Sequence, residues 1–108
     1  METQTEILVI GTNEKILQVV LRLLNVNVLW KATGVSNPEE AIAKCKETNY
    51  QVLLIGAGLT DTEEVQLSTD IKRIHPAIHV VQHYGGGSGL LFAEIYQVLG
   101  SGTMNHAQ

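Results

Sequence analysis

The chain predicts an α/β domain, a three-layer sandwich with a parallel sheet of four strands. Two short, wholly apolar runs, Ile7-Leu8-Val9-Ile10 and Val52-Leu53-Leu54-Ile55, end at Gly11 and Gly56, as strands buried on both faces do. Segments with helical periodicity separate the strand-like runs, and strands joined by helices of this length form right-handed βαβ crossovers. The 108 residues suit one domain with one core, and an apolar content of 44% with 17% charged residues excludes general disorder.

The elements follow in order. After Ile7 to Ile10, Asn13 can cap a helix whose Ile16, Leu17, Val20, Leu21 and Leu24 recur at helical spacing. Val28-Leu29-Trp30 opens a second strand, which continues through Lys31-Ala32-Thr33 into a turn at Gly34, and its polar admixture marks a sheet edge. Ser36-Asn37-Pro38-Glu39-Glu40 starts a helix, with cap residues, a proline where its missing N–H costs nothing, and acids at the positive end of the dipole. That helix runs to about Thr48, and Val52 to Ile55 follows as a central strand. Asp61 with Glu64 forms a cap signature for a third helix lined by Leu67, Ile71 and Ile74 and stopped at His75-Pro76. Ile78 to Tyr84 is the fourth strand, and Leu90 to Leu99 the last helix.

Composition narrows the function. Seven basic against eleven acidic residues give a net charge of −4, and there is no basic run, so nucleic-acid binding by phosphate neutralisation is not expected. The single cysteine, Cys45, supports neither a disulfide framework nor a thiolate zinc site. It sits among helix residues where packing is its expected role. With no signal-peptide pattern and no long apolar run, no membrane association is expected, and the cytoplasm is the expected compartment. His75, His79 and His83 are spaced by four, but Pro76 breaks any helix through them; on a strand only His79 and His83 share a face, so no metal site is expected. No nucleophile signature stands out, so no enzymatic activity and no cofactor are expected.

Ile7 to Ile10, the Ser36-Asn37-Pro38-Glu39-Glu40-Ala41-Ile42 helix start, and Tyr50-Gln51 followed by Val52 to Asp61 together resemble response-regulator receiver domains, over roughly residues 5–100. The resemblance implies a flavodoxin-like, receiver-like fold for residues 1–100, with 101–108 as a flexible C-terminal tail. It also implies an aspartate phosphorylated at the end of the third strand, and two acids after the first strand that hold Mg²⁺, since a carboxylate is the nucleophile and a cation offsets the developing charge. Carried onto this chain, those positions are Gly56 for the aspartate and Gly11 and Thr12 for the acids. The family's Ser/Thr falls within Gln82 to Tyr84, where neither occurs, and its proline is Thr60. Its lysine lies on a fifth strand, yet only nine residues follow Leu99. Glu14 and Asp61 are nearby acids that read better as first-turn helix residues.

The resemblance therefore implies a degenerate, apparently truncated pseudo-receiver with no fifth strand or helix, a signalling module of the two-component type acting through protein binding. Loss of a fifth strand leaves the fourth at an edge, and the last helix is apolar nearly all round, so part of it should meet a partner. The expected interface comprises His79, His83, Leu91, Phe92, Ile95, Tyr96 and Leu99, in a homodimer or against a signalling protein. The rival reading is a sensor of a nucleotide or other metabolite. It would use the space at Gly11, Thr12, Gly56 and Gly58, or the loop Gly85-Gly86-Gly87-Ser88-Gly89, whose backbone N–H groups could approach an anion.

Overall fold

The computed structural model describes residues 5–56 and 58–82, together with the helical residues Ala93, Ile95 and Gln97. The elements are β1 (Thr5–Ile10), α1 (Glu14–Asn25), β2 (Trp30–Val35), α2 (Pro38–Glu47), β3 (Val52–Ile55), α3 (Asp61–Ile74) and β4 (His79–Gln82). The four strands form one parallel sheet in the order β2-β1-β3-β4, so the two wholly apolar runs are its centre.

Alternation along the central strands divides the core in two. Leu8, Ile10, Leu53 and Ile55 pack against Ala41 and Cys45 of α2 and Leu67 and Ile71 of α3. Ile7, Val9, Val52 and Leu54 pack on the other face against Leu17 and Leu24 of α1. Handedness accounts for this division. The chain moves one way across the sheet from β1 to β2 and the opposite way from β2 to β3 and from β3 to β4, so right-handed crossovers put α1 on one face and α2 and α3 on the other. Ile95 joins the α1 face, fully buried among the residues of that cluster. A right-handed crossover from β4 to a further strand on its outer side would run over the α2/α3 face instead.

The helix starts carry their caps. The Ile16 N–H donates to Asn13 Oδ1 at 3.1 Å and the Glu40 N–H to Asn37 Oδ1 at 2.9 Å, with Pro38 opening α2. For α3 the cap lies one residue earlier than Asp61 and Glu64 suggest. The Glu63 N–H donates to Thr60 Oγ1 at 3.1 Å and the Thr60 N–H to Glu63 Oε1 at 2.9 Å, a reciprocal capping box.

The second strand also differs from its sequence reading. Val28 and Leu29 are 80% and 54% exposed and lie before β2. The Leu29 N–H donates to the Asn27 side chain at 2.9 Å and the Trp30 N–H to the Asn27 carbonyl at 3.0 Å, so Asn27 holds a turn through which these apolar residues pass. Gly34 is no turn but a strand residue paired with Val9. A Cβ there would stand 2.6 Å from Leu21 Cδ1 and 3.3 Å from both Leu17 methyl carbons, so the glycine admits α1 against β2. The described part of the fourth strand starts at His79, because the Ile78 N–H turns back to the His75 carbonyl at 3.1 Å; His83 and Tyr84 lie outside the described residues. Among the described residues no helix is long and apolar enough to cross a membrane.

Gly34→Val forces Leu17 and Leu21 aside in a packed layer, an overpacking cost of about 1–3 kcal/mol. Urea denaturation should show that loss with an unchanged m-value; wild-type stability would mean that α1 is free to move away from β2.

Candidate functional site

The site is the carboxyl end of the two central strands. Ile10 and Ile55 are register partners at the ends of β1 and β3, and the Gly56 N–H donates to the Ile10 carbonyl at 2.8 Å. On the other side the Gly11 N–H donates to the Val35 carbonyl at 3.2 Å. Gly11, Thr12 and Gly56 thus come together where the sequence places them. Gly11 is buried, Gly56 half-buried and Thr12 exposed. A Cβ on Gly56 would stand 3.3 Å from the Ile10 carbonyl oxygen, tighter than ordinary packing. Gly58 has φ +117°, and a Cβ on it would fall 1.8 Å from Thr12 Oγ1, so the Thr12 side chain rests directly on the glycine backbone of the loop after β3.

Beside these residues lies a cavity of about 50 Å³, walled by Val9, Ile10, Ile16, Leu17 and Val20 with Gly11 and Gly56 at its rim. Its one polar side chain, Asn13, is engaged in capping α1. Two of the nearby acids are engaged within their own helices. Glu14 accepts from Gln18 Nε2 at 3.0 Å, Glu63 is in the capping box, and Asp61 is an exposed first-turn residue of α3. Among the described residues no group of three His, Cys, Asp or Glu side chains is placed to hold a metal ion.

Glu64 does not cap the helix. Among the described residues it is the buried charged one, 7% exposed, and its Oε1 accepts a hydrogen bond from Gln82 Nε2 at 2.8 Å, tying α3 to the end of β4. Its spacing of three and seven residues from Leu67 and Ile71 was the sequence signal, since all three share the core-facing stripe. At the opposite end of the sheet a larger cavity of about 210 Å³ is lined by Asn49, Tyr50, Gln51 and His75 to Ile78. There His75 Nε2 lies 2.6 Å from the Cys45 carbonyl, which accepts the ring N–H. Burial pushes the Cys45 thiol above its ordinary pKa, in keeping with a packing role.

Of the expected interface, His79 is exposed on β4, whereas Ile95 belongs to the chain's own core and offers no side chain to a partner. Its burial follows from the apolar sheet face beside α1, which needs cover over Val81 and Leu54. His83, Leu91, Phe92, Tyr96 and Leu99 lie outside the described residues, as does the loop Gly85, Gly86, Gly87, Ser88 and Gly89.

Solved structures share this architecture. A CheY-like response regulator receiver domain from Methylobacillus flagellatus superimposes with a TM-score of 0.71 at 15% identity, covering 92% of this chain and 98% of that one. The fold is that of a receiver domain. The signal receiver domain of an HD domain-containing protein from Pseudomonas fluorescens Pf-5 gives a TM-score of 0.67 at 19% identity over 89% of this chain and 70% of its own. A pilus assembly-related protein from Burkholderia pseudomallei K96243 gives 0.60 at 20% identity, over 84% and 71%. No protein-family profile and no curated protein sequence matches the chain. Within the receiver fold, the positions that the resemblance assigns to three carboxylates hold two glycines and a threonine.

Gly58→Ala combines a positive φ with a collision on Thr12, so it should cost more than about 1 kcal/mol. Adding Thr12→Gly should recover the steric part alone, leaving the double variant below wild type in thermal unfolding. Full recovery would show that the backbone there relaxes without strain.

Proposed function

We propose that this chain is a non-catalytic, receiver-like signalling module that acts by binding other proteins and does not accept a phosphoryl group on aspartate. The observation that carries the reading is the chemistry at Gly11, Thr12 and Gly56. Aspartyl phosphorylation needs a carboxylate nucleophile and a divalent cation to offset charge on the transferred group. A glycine at the nucleophile position and Gly-Thr at the cation position supply no carboxylate, and the neighbouring Glu14 and Glu63 are already used by their own helices. What remains of the receiver is a rigid scaffold, and its function is equilibrium binding.

The metabolite-sensor reading has less support. A small-molecule pocket encloses about 300–1,000 Å³ with a few convergent polar groups, whereas among the described residues the cavity beside Gly11 and Gly56 holds about 50 Å³ behind apolar walls.

Incubation with acetyl phosphate and Mg²⁺, followed by intact-mass measurement, tests the proposal. The expected result is an unchanged mass and an unchanged melting temperature. A phosphorylated species in stoichiometric yield would overturn it, and a ligand-dependent rise in melting temperature with a nucleotide would restore the sensor reading through mass action.

A further inference from the structure

The two edges of the sheet are treated differently. On β2 the side chain of Asn25 acts as a substitute strand: the Ala32 N–H donates to Asn25 Oδ1 at 2.9 Å, and Asn25 Nδ2 donates to the Ala32 carbonyl at 3.3 Å. The exposed Lys31 adds a charge to the same strand. A side-chain clamp and a lysine are both devices that keep a foreign strand from pairing.

Among the described residues the β4 edge has neither. His79, Val80, Val81 and Gln82 include no lysine, no proline and no bulge. The His79 N–H donates inward to the Gln51 carbonyl at 2.9 Å, so the alternation of a parallel ladder turns the N–H and C=O groups of Val80 and Gln82 away from β3. No hydrogen bond among the described residues meets those outward groups. The Gln82 side chain does not fold over its own edge, because it donates to Glu64 on the α3 face.

We propose that the β4 edge pairs with the β4 edge of a second copy, antiparallel about a two-fold axis normal to the sheet, to make one continuous eight-stranded sheet. This rests on the reading of the chain as an interaction module and names its partner. Geometry fixes the orientation. A two-fold axis along the strands would make the pairing parallel with zero offset and flip one sheet, setting each side chain beside its copy on the opposite face, which a pleated ladder does not allow. The axis normal to the sheet keeps the faces in common, and it pairs only residues of like parity. It passes through Val80 or Val81, so the outward groups of Val80 meet those of Val80 or of Gln82 in the copy. Charge agrees with this: the chain carries −4, yet the paired residues bring no carboxylate or ammonium against one another. Isologous closure also limits assembly to a dimer, where head-to-tail pairing would grow fibres.

Val80→Pro is the discriminating variant, because it removes an N–H that points away from β3 and leaves the internal ladder intact. Light scattering after size exclusion, over a wide concentration range, should show wild-type dimer and folded Val80→Pro monomer, with matching far-UV circular dichroism. Should the proline variant fail to fold, exposed His79→Lys places like charges near the axis and should weaken the dimer at least about tenfold at low salt, with recovery at high salt. A wild-type chain that stays monomeric throughout overturns the pairing, as does a folded variant of either kind that dimerises like wild type. Phosphoryl incorporation from acetyl phosphate would overturn the proposed function and leave the dimer measurement untouched, so the two failures are separable.

Discussion

Everything else in the molecule hangs on two strands that touch no water. Ile7 to Ile10 and Val52 to Ile55 are buried on both faces, and they pair with each other residue for residue. Two runs of four apolar positions in neighbouring strands demand cover above and below, and right-handed connection then dictates which helix covers which side. α1 has one face of the sheet to itself until Ile95 arrives beside it, while α2 and α3 share the other. The site is where these two strands stop. Its residues are positioned by the ladder itself, through the Gly56 N–H on the Ile10 carbonyl and the Gly11 N–H on the Val35 carbonyl.

A parallel sheet of this kind offers a ligand crevice at its carboxyl edge by construction. Among the described residues this crevice is partly occupied by the chain's own side chains. Thr12 lies on Gly58, a glycine whose φ of +117° favours a residue without a side chain, and Ile16 with Val20 lines what space is left. Thr12 approaches the loop after β3 closely, and the cavity beside Gly11 and Gly56 holds about 50 Å³.

The legible parts of the fold were those with a single physical explanation. The central strands stood out because continuous β-branched and leucine runs bounded by glycine have few alternatives, and the caps at Asn13 and Asn37 because the polar residue directly precedes a helical stripe. Misreadings arose where two signals competed. Val28 and Leu29 have strand propensity, but Asn27 holds them in a turn; Gly34 is a turn residue by type, yet α1 needs it inside β2. At the start of α3, Asp61 and Glu64 have capping spacing, as do Thr60 and Glu63, and Glu64 is claimed instead by the core stripe and by Gln82. At the site, the identity and proximity of Gly11, Thr12 and Gly56 were readable from strand ends. The contact of Thr12 on Gly58 was not, because it depends on how two loops meet. Ile95, expected at an interface, lies in the chain's own core for a related reason: apolar periodicity says that a helix is buried and leaves open what buries it.

The clamp of Asn25 on Ala32 bears on how such a sheet keeps foreign strands from its edge. A four-stranded parallel sheet has two edges, and a chain that guards one of them with a bidentate side-chain amide has a reason to guard both unless the second has a use. The residues of β4 argue for use. Val80 and Val81 face opposite core layers, so the strand is held in register by burial on both sides, and its outward backbone groups are presented at fixed spacing. The hydrogen bond from Gln82 to buried Glu64 fixes the end of the strand against α3 and removes the freedom by which an edge would fray. A strand packed on both faces and paired along one side loses little conformational entropy on pairing. Among the described residues, Thr12 packs on Gly58 at the carboxyl end of the sheet, while the backbone groups of Val80 and Gln82 face outward along the β4 edge.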